Sequence, residues 1–229
     1  MNRRLRPPVF LVEGRRIAVR ARRRKSGLFV TFEGIDGCGK TTQLELCSRY
    51  LRSRDYKVVK LREPGSTPAA EKIRRLLLDR RSKLADVTEL LLYEAARAEV
   101  TRSVVLPRLN TGSIVLCDRF YDSTTAYQGY GRGLDLRVIK SLHDLVAGDC
   151  KPDLTLVFDV SLKVASVRLG GKRDRLESLP VAFHRRVREG FLKIAAGESR
   201  RVKVIDGTRT VDAVFNEVRR HLDTKLRRL

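Results

Sequence analysis

The sequence lacks tryptophan, has one methionine, and contains only 6% aromatic residues. Its four cysteines, Cys38, Cys47, Cys117 and Cys150, form no C-x-x-C pair. This spacing argues against a structural zinc site and suits reduced thiols of a cytoplasmic protein. The three histidines stand apart, so no histidine metal site is expected. No apolar run reaches the length of about 18 residues that a membrane-spanning helix needs.

Acidic residues are also scarce, since 27 Asp and Glu face 49 Lys and Arg, giving a net charge of +22. Residues 1–27 hold ten of the basic residues against one acid, Glu13, which is 10 − 1 = +9. Such a charge suits a polyanionic partner, and nucleotide phosphates also need local positive charge, but charge does not decide the fold. With 42% hydrophobic residues in 229, the chain can build a sizeable core.

Residues 1–27 are predicted to form a separate basic extension, either an arm or a small hairpin turning at Glu13 and Gly14. A solvated arm is the favoured interpretation, and nucleic-acid binding is the alternative. A transit peptide is disfavoured because serine is scarce in this stretch. Residues 28–229 show no repeat or linker and are read as one domain.

A glycine-rich stretch follows a short apolar run, Leu28 to Phe32, that predicts a buried strand. Its residues match G-x-x-x-x-G-K-[ST], whose backbone N–H groups bind phosphates at the start of a helix. Lys40 is expected to reach the β- and γ-phosphates of ATP, and Thr41 to hold Mg²⁺. The predicted triphosphate-binding residues are Gly34, Ile35, Asp36, Gly37, Cys38, Gly39, Lys40, Thr41 and Thr42.

Short apolar strands alternate with helical patterns along the rest of the chain. The further strands are predicted at Lys57–Leu61, Ile114–Cys117, Leu154–Phe158 and Val202–Ile205. Among the helices, the predicted buried faces include Leu76, Leu136 and Val211. The alternation predicts an α/β fold of the P-loop NTPase type, a parallel sheet with helices on both faces. Functional groups then gather at the carboxyl ends of the strands.

Several polar groups follow those strand ends. Arg62 and Arg119 are candidates to hold a phosphate of a second substrate, and Asp118 is a candidate Mg²⁺ ligand. The segment from residue 122 to 133 is rich in hydroxyl, amide and glycine and is expected to line a polar pocket. The basic segment 168–175, hinged by glycines, predicts a mobile lid at about residues 165–178.

Taken together, these motifs resemble the thymidylate kinase family, the nucleoside monophosphate kinases that make dTDP from dTMP and Mg-ATP. The resemblance runs from about Gly27 to the terminal helix. It rests on residues 32–43, 62–65, 118–129, 152–156, 174–177 and 183–190. It implies Mg²⁺ as cofactor, ATP and dTMP as substrates, a role in dTTP synthesis, a cytoplasmic location and a homodimer.

The resemblance also implies roles for individual residues. Asp36 would bond the 3′-hydroxyl of dTMP, and Tyr127 would crowd the 2′ position. Tyr93 would stack on thymine and Arg97 would meet the base. The dTMP-binding residues implied are Asp36, Arg62, Tyr93, Arg97, Arg119, Ser123, Thr124, Tyr127 and Gln128.

The catalytic cations implied are Lys40, Arg119, Arg168 and Arg173. Ile35, Gly37 and Cys38 fill the variable loop positions, so the chain is similar to the class that supplies arginines from the lid. Two positions differ from the family pattern. Ser66 stands where a second glycine is usual, and Gly170 where an arginine is common.

Two other functions stay open on the sequence. One is a kinase for another deoxynucleotide or a deoxynucleoside, which would not need two arginines on an acceptor phosphate. The other is a nucleic-acid-binding protein with a degenerate kinase domain, although the retention of Lys40, Thr41 and Asp118 argues against degeneration.

Cys38 lies beside a helix N-terminus and Lys40, which favour a thiolate. One hypothesis is therefore a loop that alkylation or oxidation inactivates. The favoured interpretation is a small residue that fills space.

Deleting residues 1–27 removes a charge of +9 and none of the proposed site. We expect a nearly unchanged kcat and weaker, salt-dependent retention on DNA or another polyanion. Steady-state kinetics and a salt gradient on immobilised DNA measure the two effects. Loss of kcat in a folded truncated protein would mean that the extension completes the active site.

Overall fold

A computed structural model of the chain describes residues 11–12, 15–16, 27–148, 150–171, 174–227 and 229. Two short strands, β1 (Leu11–Val12) and β2 (Arg15–Arg16), pair antiparallel, with Val12 opposite Arg15. The remaining strands are β3 (Leu28–Glu33), β4 (Val58–Arg62), β5 (Ile114–Asp118), β6 (Leu154–Asp159) and β7 (Val202–Asp206). These five form one parallel sheet in the order β4-β5-β3-β6-β7.

Helices fill the connections between the strands. Those before β5 are α1 (Lys40–Arg52), α2 (Pro68–Leu78), α3 (Asp86–Val100) and α4 (Leu106–Asn110). Those after it are α5 (Tyr121–Thr124), α6 (Leu136–Val146), α7 (Leu162–Leu169), α8 (Val181–Gly197) and α9 (Val211–Leu226). Two π-helical stretches, Thr101–Val105 and Thr125–Gly131, continue α3 and α5. None of the helices within these described ranges has the length and apolarity needed to cross a bilayer.

The parallel sheet with helices on both faces confirms the fold class predicted from the alternation of strands and helices. Its register brings three strand ends together, because Phe32 pairs with Asp118 and Asp118 pairs with Arg62. On the other side of β3, Glu33 pairs with Val157. The loop after β3 therefore lies at the same edge as the ends of β4, β5 and β6.

Two apolar clusters cover the two faces of the sheet, one including Val30 and Leu116, the other Phe29 and Val115. Three residues predicted to be buried are instead exposed: Leu76 by 45%, Leu136 by 40% and Val211 by 51%. Leu136 and Val211 are the first residues of their helices, and the buried residues of both helices lie further along the chain. In α2 the buried positions are Ala70 and Leu77, so that helix is rotated relative to the prediction.

The polar segment after β5 is helical as far as Gly131. Its glycines allow close helix packing. A Cβ added to Gly131 would lie 2.7 Å from the ring of Phe183 on α8, and one added to Gly190 of α8 would lie 2.7 Å from Tyr130. The composition that is typical of a loop therefore reflects contact between two helices.

A buried ion pair fixes α5 to the far side of the sheet. Arg201, just before β7, donates to both oxygens of Asp122 at 2.7 and 3.0 Å and to Thr155 Oγ1 at 2.6 Å. The Asp122 side chain is only 2% exposed. Removing the arginine would therefore leave a buried carboxylate without its main countercharge.

We expect Arg201→Met to lower the free energy of unfolding by about 3 to 5 kcal/mol, the usual cost of an uncompensated buried charge. Arg200→Met, at the exposed neighbouring position, is the matched control and should change it by less than about 0.5 kcal/mol. Urea denaturation followed by circular dichroism measures both. Equal effects of the two variants would contradict a stabilising role for the pair.

Candidate active site

The loop between β3 and α1 has a backbone that requires glycine. Gly34, Gly37 and Gly39 have φ of +133°, +79° and +96°. A Cβ on Gly34 would lie 2.6 Å from the carbonyl oxygen of Phe158. Helix α1 begins after Gly39 without a side-chain cap, so its first N–H groups are available to an anion.

Asp36, inside this loop, lies between two cations. Its Oδ1 accepts hydrogen bonds from Lys40 Nζ at 3.0 Å and Arg119 Nη2 at 2.6 Å. Tyr127 donates its hydroxyl to Oδ2 at 3.3 Å. Burial alone would raise the pKa of Asp36, but Arg119 and Lys40 outweigh it and hold that pKa well below its usual range. Asp36 is therefore ionised, and it links the phosphate loop to Arg119.

Arg119 follows β5 in a left-handed backbone conformation, with φ of +71°. A non-glycine residue in that region costs about 1–3 kcal/mol, and surrounding contacts must maintain it. Besides Asp36, its guanidinium donates to the Gly34 carbonyl at 2.9 Å and to Ser123 Oγ at 3.0 Å. The predicted phosphate-binding arginine is thus held rigidly against the loop.

An inner pocket opens on the Arg119 side of the loop. Its lining residues are Asp36, Glu63, Pro64, Arg74, Leu78, Tyr93, Arg119, Ser123, Thr124, Tyr127, Gln128, Asp174 and Leu176. It brings together the residues that the sequence assigned to dTMP, except Arg62 and Arg97. The predicted polar pocket with an aromatic wall is therefore present.

Arg97 lies behind this pocket and is only 1% exposed. Its guanidinium donates to Glu63 at 2.8 Å, to Thr124 Oγ1 at 2.9 Å and to Glu94. Glu63 and Thr124 themselves line the pocket. Arg97 thus lies directly behind the residues that line the pocket, and its expected contact with a base stays a prediction.

Arg62 has an exposed side chain that bonds both carboxylate oxygens of Glu71 at 3.1 Å. The backbone around it depends on Ser66, whose φ of +72° explains why glycine is usual there. Ser66 Oγ accepts from the Arg62 N–H at 2.9 Å and donates to its carbonyl at 3.1 Å. These two bonds let a serine replace glycine in this turn.

Arg74 of α2 lines the inner pocket although the sequence analysis missed it. Its Nη1 donates to the Pro64 carbonyl at 2.9 Å. Helical spacing could have found it, since it lies four residues after Ala70 and three before Leu77, both buried. A basic residue on the buried face of a helix was the available signal.

An outer pocket lies on the opposite side of the loop, lined by Cys38, Gly39, Thr42, Gln43, Arg168, Gly207, Arg209, Val211 and Val214. Arg168 donates to the Gly207 carbonyl at 3.0 Å. Of the lid cations, Arg168 therefore lies with the outer pocket. Arg173, also predicted to be catalytic, lies outside the described residues.

The predicted metal ligands lie side by side, with the Thr41 hydroxyl donating to Asp118 Oδ2 at 2.6 Å. Across the described ranges, no group of three or more His, Cys, Asp and Glu side chains could hold a metal ion. One carboxylate and one hydroxyl suit Mg²⁺, which keeps waters and takes substrate phosphates as its other ligands. The residues present therefore fit a magnesium ion bound together with a nucleotide.

The hypothesis of a reactive Cys38 is wrong. Its side chain is 1% exposed, and burial raises the pKa of the thiol more than Lys40 lowers it. A Cβ added to Gly34 would lie 2.9 Å from its sulfur, so Cys38 packs against the loop. The thiol fills space, as the favoured interpretation expected.

Glu33, at the end of β3, is a fully buried carboxyl group that the sequence analysis missed. It accepts hydrogen bonds from the Phe120 N–H at 2.7 Å and from Ser123 Oγ at 2.6 Å. Burial, with the nearby Asp122, raises the pKa of Glu33 to about 8. Through these two hydrogen bonds, Glu33 stabilises the turn that carries Arg119.

This raised pKa predicts a pH-dependent stability. Between the ordinary value of 4.5 and about 8, the folded chain keeps a proton that the unfolded chain has lost. The free energy of unfolding therefore falls with rising pH in this window, by at most about 1.4 kcal/mol per pH unit from this group.

Glu33→Gln should remove that contribution, so its stability relative to the parent should rise from pH 5 to pH 8. Guanidinium denaturation at several pH values measures the difference. The exposed Glu45→Gln is the control and should show a constant difference. A constant difference for Glu33→Gln would contradict the assignment.

Comparison with known proteins identifies the family to which the chain is similar. A sequence model of the family described as "Thymidylate kinase" matches residues 32–218. A thymidylate kinase of Geobacter sulfurreducens is 48% identical over 201 residues, covering 84% of this chain and 94% of that protein. One of a Nostoc species is 42% identical over 206 residues, covering 88% of this chain and 98% of that protein.

A solved structure supports the same relation in three dimensions. The crystal structure of thymidylate kinase from Ehrlichia chaffeensis superposes with a TM-score of 0.72 and 40% sequence identity. It covers 87% of this chain and 99% of the other. The family model and the relatives span most of the chain, and the resemblance seen in the motifs is confirmed. The chain belongs to the thymidylate kinase family.

Proposed function

We propose that this protein transfers the γ-phosphoryl group of Mg-ATP to dTMP and forms dTDP, in dTTP synthesis. Family membership confirms the predicted enzyme class, a nucleoside monophosphate kinase. One observation carries the proposal for this chain. The Asp36 carboxylate bonds both Lys40 and Arg119, at the place where the phosphate loop separates two pockets.

The inner pocket takes the acceptor, dTMP. Arg119 faces its phosphate, and its planar fork matches two phosphate oxygens. Asp36 accepts the 3′-hydroxyl, and the Tyr127 hydroxyl beside it leaves little room for a 2′-hydroxyl. Tyr93 lines the pocket and offers a ring on which a flat base stacks.

Further residues complete the acceptor site. Ser123, Thr124 and Gln128 give the base polar neighbours. Arg97 acts on the base through Thr124, to which it donates a hydrogen bond. Arg62 reaches the dTMP phosphate from the exposed side of the pocket. Its ion pair with Glu71 is then replaced by one with the phosphate.

The donor, ATP, lies along the loop from Gly34 to Thr42, with its nucleoside in the outer pocket. The loop N–H groups and Lys40 contact its phosphates. Arg209 lines the outer pocket and offers a guanidinium plane to the purine. Arg168 and Arg173 bring positive charge toward the phosphates as the lid at about residues 165–178 closes.

Thr41 and Asp118 would hold Mg²⁺, which when bound offsets negative charge on the ATP phosphates. The chain's own residues position the reactants and place cations around the transferred group. Burial alone would lower the pKa of Arg119, but Asp36 raises it well above its usual value, so Arg119 stays charged. The attacking atom is a phosphate oxygen of dTMP, so no protein nucleophile is needed.

We also propose a homodimer and a cytoplasmic location. Exposed apolar side chains on two adjacent helices support the dimer: Val87 and Leu91 on α3, and Val138 and Leu145 on α6. The four cysteines are free and buried, which suits a reducing compartment. The basic extension at residues 1–27 adds weak binding to polyanions.

An assay with ATP, Mg²⁺ and a panel of nucleotides, coupled to ADP formation, tests the proposal. We expect dTMP to be the best acceptor, and thymidine to be inactive because Arg119 needs a phosphate partner. Lys40→Met is expected to lower kcat by several orders of magnitude without unfolding the chain. Preference for a nucleoside, or retention on DNA without any kinase activity, would favour one of the two rival functions.

The inner pocket also predicts how strongly the enzyme prefers dTMP over dUMP. Thymine differs from uracil by one methyl group, and one such group in an apolar contact is worth about 10- to 200-fold in kcat/KM. We therefore expect the kcat/KM for dTMP to exceed the kcat/KM for dUMP by that factor. Equal rates with dCMP or dGMP would show that the base is not recognised in this pocket.

A further inference from the structure

Beneath the inner pocket lies a buried carboxylate to which the proposed reaction assigns no role. Glu89 of α3 is fully buried. Its Oε1 accepts a hydrogen bond from Gln128 Nε2 at 2.9 Å. Arg132 donates to the same carboxylate, with Nε 3.2 Å from Oε1 and Nη2 2.9 Å from Oε2. Arg175, from the lid segment, places Nη2 2.6 Å from Oε2.

These partners keep Glu89 ionised. Burial alone would raise its pKa, but the hydrogen bonds from Arg132 and Gln128, with the nearby guanidinium of Arg175, outweigh burial and hold the pKa below its ordinary value. An ionised carboxylate only accepts hydrogen bonds, whereas the side-chain amide of glutamine has a donating nitrogen and an accepting oxygen. The amide of Gln128 must therefore present its nitrogen to Glu89.

The oxygen of the same amide is fixed as a consequence. Gln128 lines the inner pocket, and its Oε1 accepts no hydrogen bond from the residues that the structure describes. Turning the amide over would bring this oxygen against the carboxylate and cost the hydrogen bond. Gln128 thus offers the pocket an acceptor.

An acceptor at this position distinguishes pyrimidines by their N3 atom. In thymine N3 carries a hydrogen, whereas in cytosine N3 carries a lone pair. A site built to hydrogen-bond one group rejects an analogue without it by about 10⁴- to 10⁵-fold, because its buried polar atom is left unpaired. Stacking on Tyr93 and the 5-methyl contact do not make this distinction.

We propose that Glu89 is a positioning residue for base selection: by holding Nε2 of Gln128, it presents Oε1 to the pocket and selects bases with an N3 hydrogen. This inference rests on the proposed function, since it takes the inner pocket as the dTMP site. A purely structural Glu89 would only balance the charges of Arg132 and Arg175.

The matched substrate is 5-methyl-dCMP, which keeps the methyl group of dTMP and differs in the base at N3 and C4. The variant is Glu89→Gln, whose new amide can donate to Gln128 Oε1 and let Gln128 turn its nitrogen toward the pocket. We expect the kcat/KM ratio of dTMP to 5-methyl-dCMP to fall at least about tenfold, through both a loss with dTMP and a gain with 5-methyl-dCMP. Arg97 and Thr124 account for the selectivity that remains.

Arg201→Met is the control, because it removes the cation from a different buried carboxylate, Asp122, and leaves Glu89 and all its partners in place. It should lower stability and leave the substrate ratio unchanged. Glu89→Asp, which stays charged but is one methylene too short to hold Gln128, should also lower the ratio.

An unchanged ratio in either folded Glu89 variant overturns the proposal. So does a parent protein that uses 5-methyl-dCMP as well as dTMP, a result that needs no variant. A parent protein inactive with dTMP overturns the proposed function instead, so the two failures are distinguishable.

Discussion

The hydrogen bonds between Arg119 and the loop after β3 hold the site together. The loop and Arg119 belong to different strands, and the pairing of Phe32 with Asp118 brings them to one edge. Arg119 then bonds the Gly34 carbonyl and the Asp36 carboxylate, while Glu33 bonds the next N–H along the chain. The left-handed backbone of Arg119 is sustained by these contacts. These contacts fix the phosphate loop relative to Arg119, and with it the proposed donor and acceptor sites relative to each other.

Buried carboxyl groups also contribute to this arrangement. In a chain with a net charge of +22, several carboxylates are buried near the pocket, namely Glu33, Glu63, Glu89, Glu94 and Asp122. A buried carboxylate is tolerated only when it is protonated, paired or fully hydrogen-bonded. Glu33 follows the first route, with its pKa raised to about 8, and Glu89 and Asp122 follow the second. Glu33 and Glu89 bond side chains that line the inner pocket, Ser123 and Gln128 respectively.

The sequence predicted most of the fold because hydrophobic alternation and the glycine loop are local signals. The strands, their parallel pairing and the clustering of functional groups at one edge follow from them, whereas the order of the strands in the sheet does not. Arg97 shows where such reasoning stops. The family resemblance implied that Arg97 meets the base, and no pattern in the sequence predicted that its guanidinium also bonds Glu63 and Thr124. Whether a polar side chain faces a pocket or a second polar side chain depends on contacts between distant elements, which no local pattern encodes.

Arginine and lysine have different physical roles in this site. Arg97, Arg132 and Arg201 bind buried carboxylates, where the rigid planar fork fixes the direction of both partners. The residue that we propose contacts the transferred phosphoryl group is Lys40, a compact charge on a flexible stem. Selectivity needs groups that do not turn, because an amide that flips freely would accept either pyrimidine. Transfer needs a cation that adjusts as bonds change. Arginine–carboxylate pairs such as Arg97–Glu63 and Arg132–Glu89 therefore hold the walls of the inner pocket, while the proposed phosphate contacts combine Lys40 with Arg119.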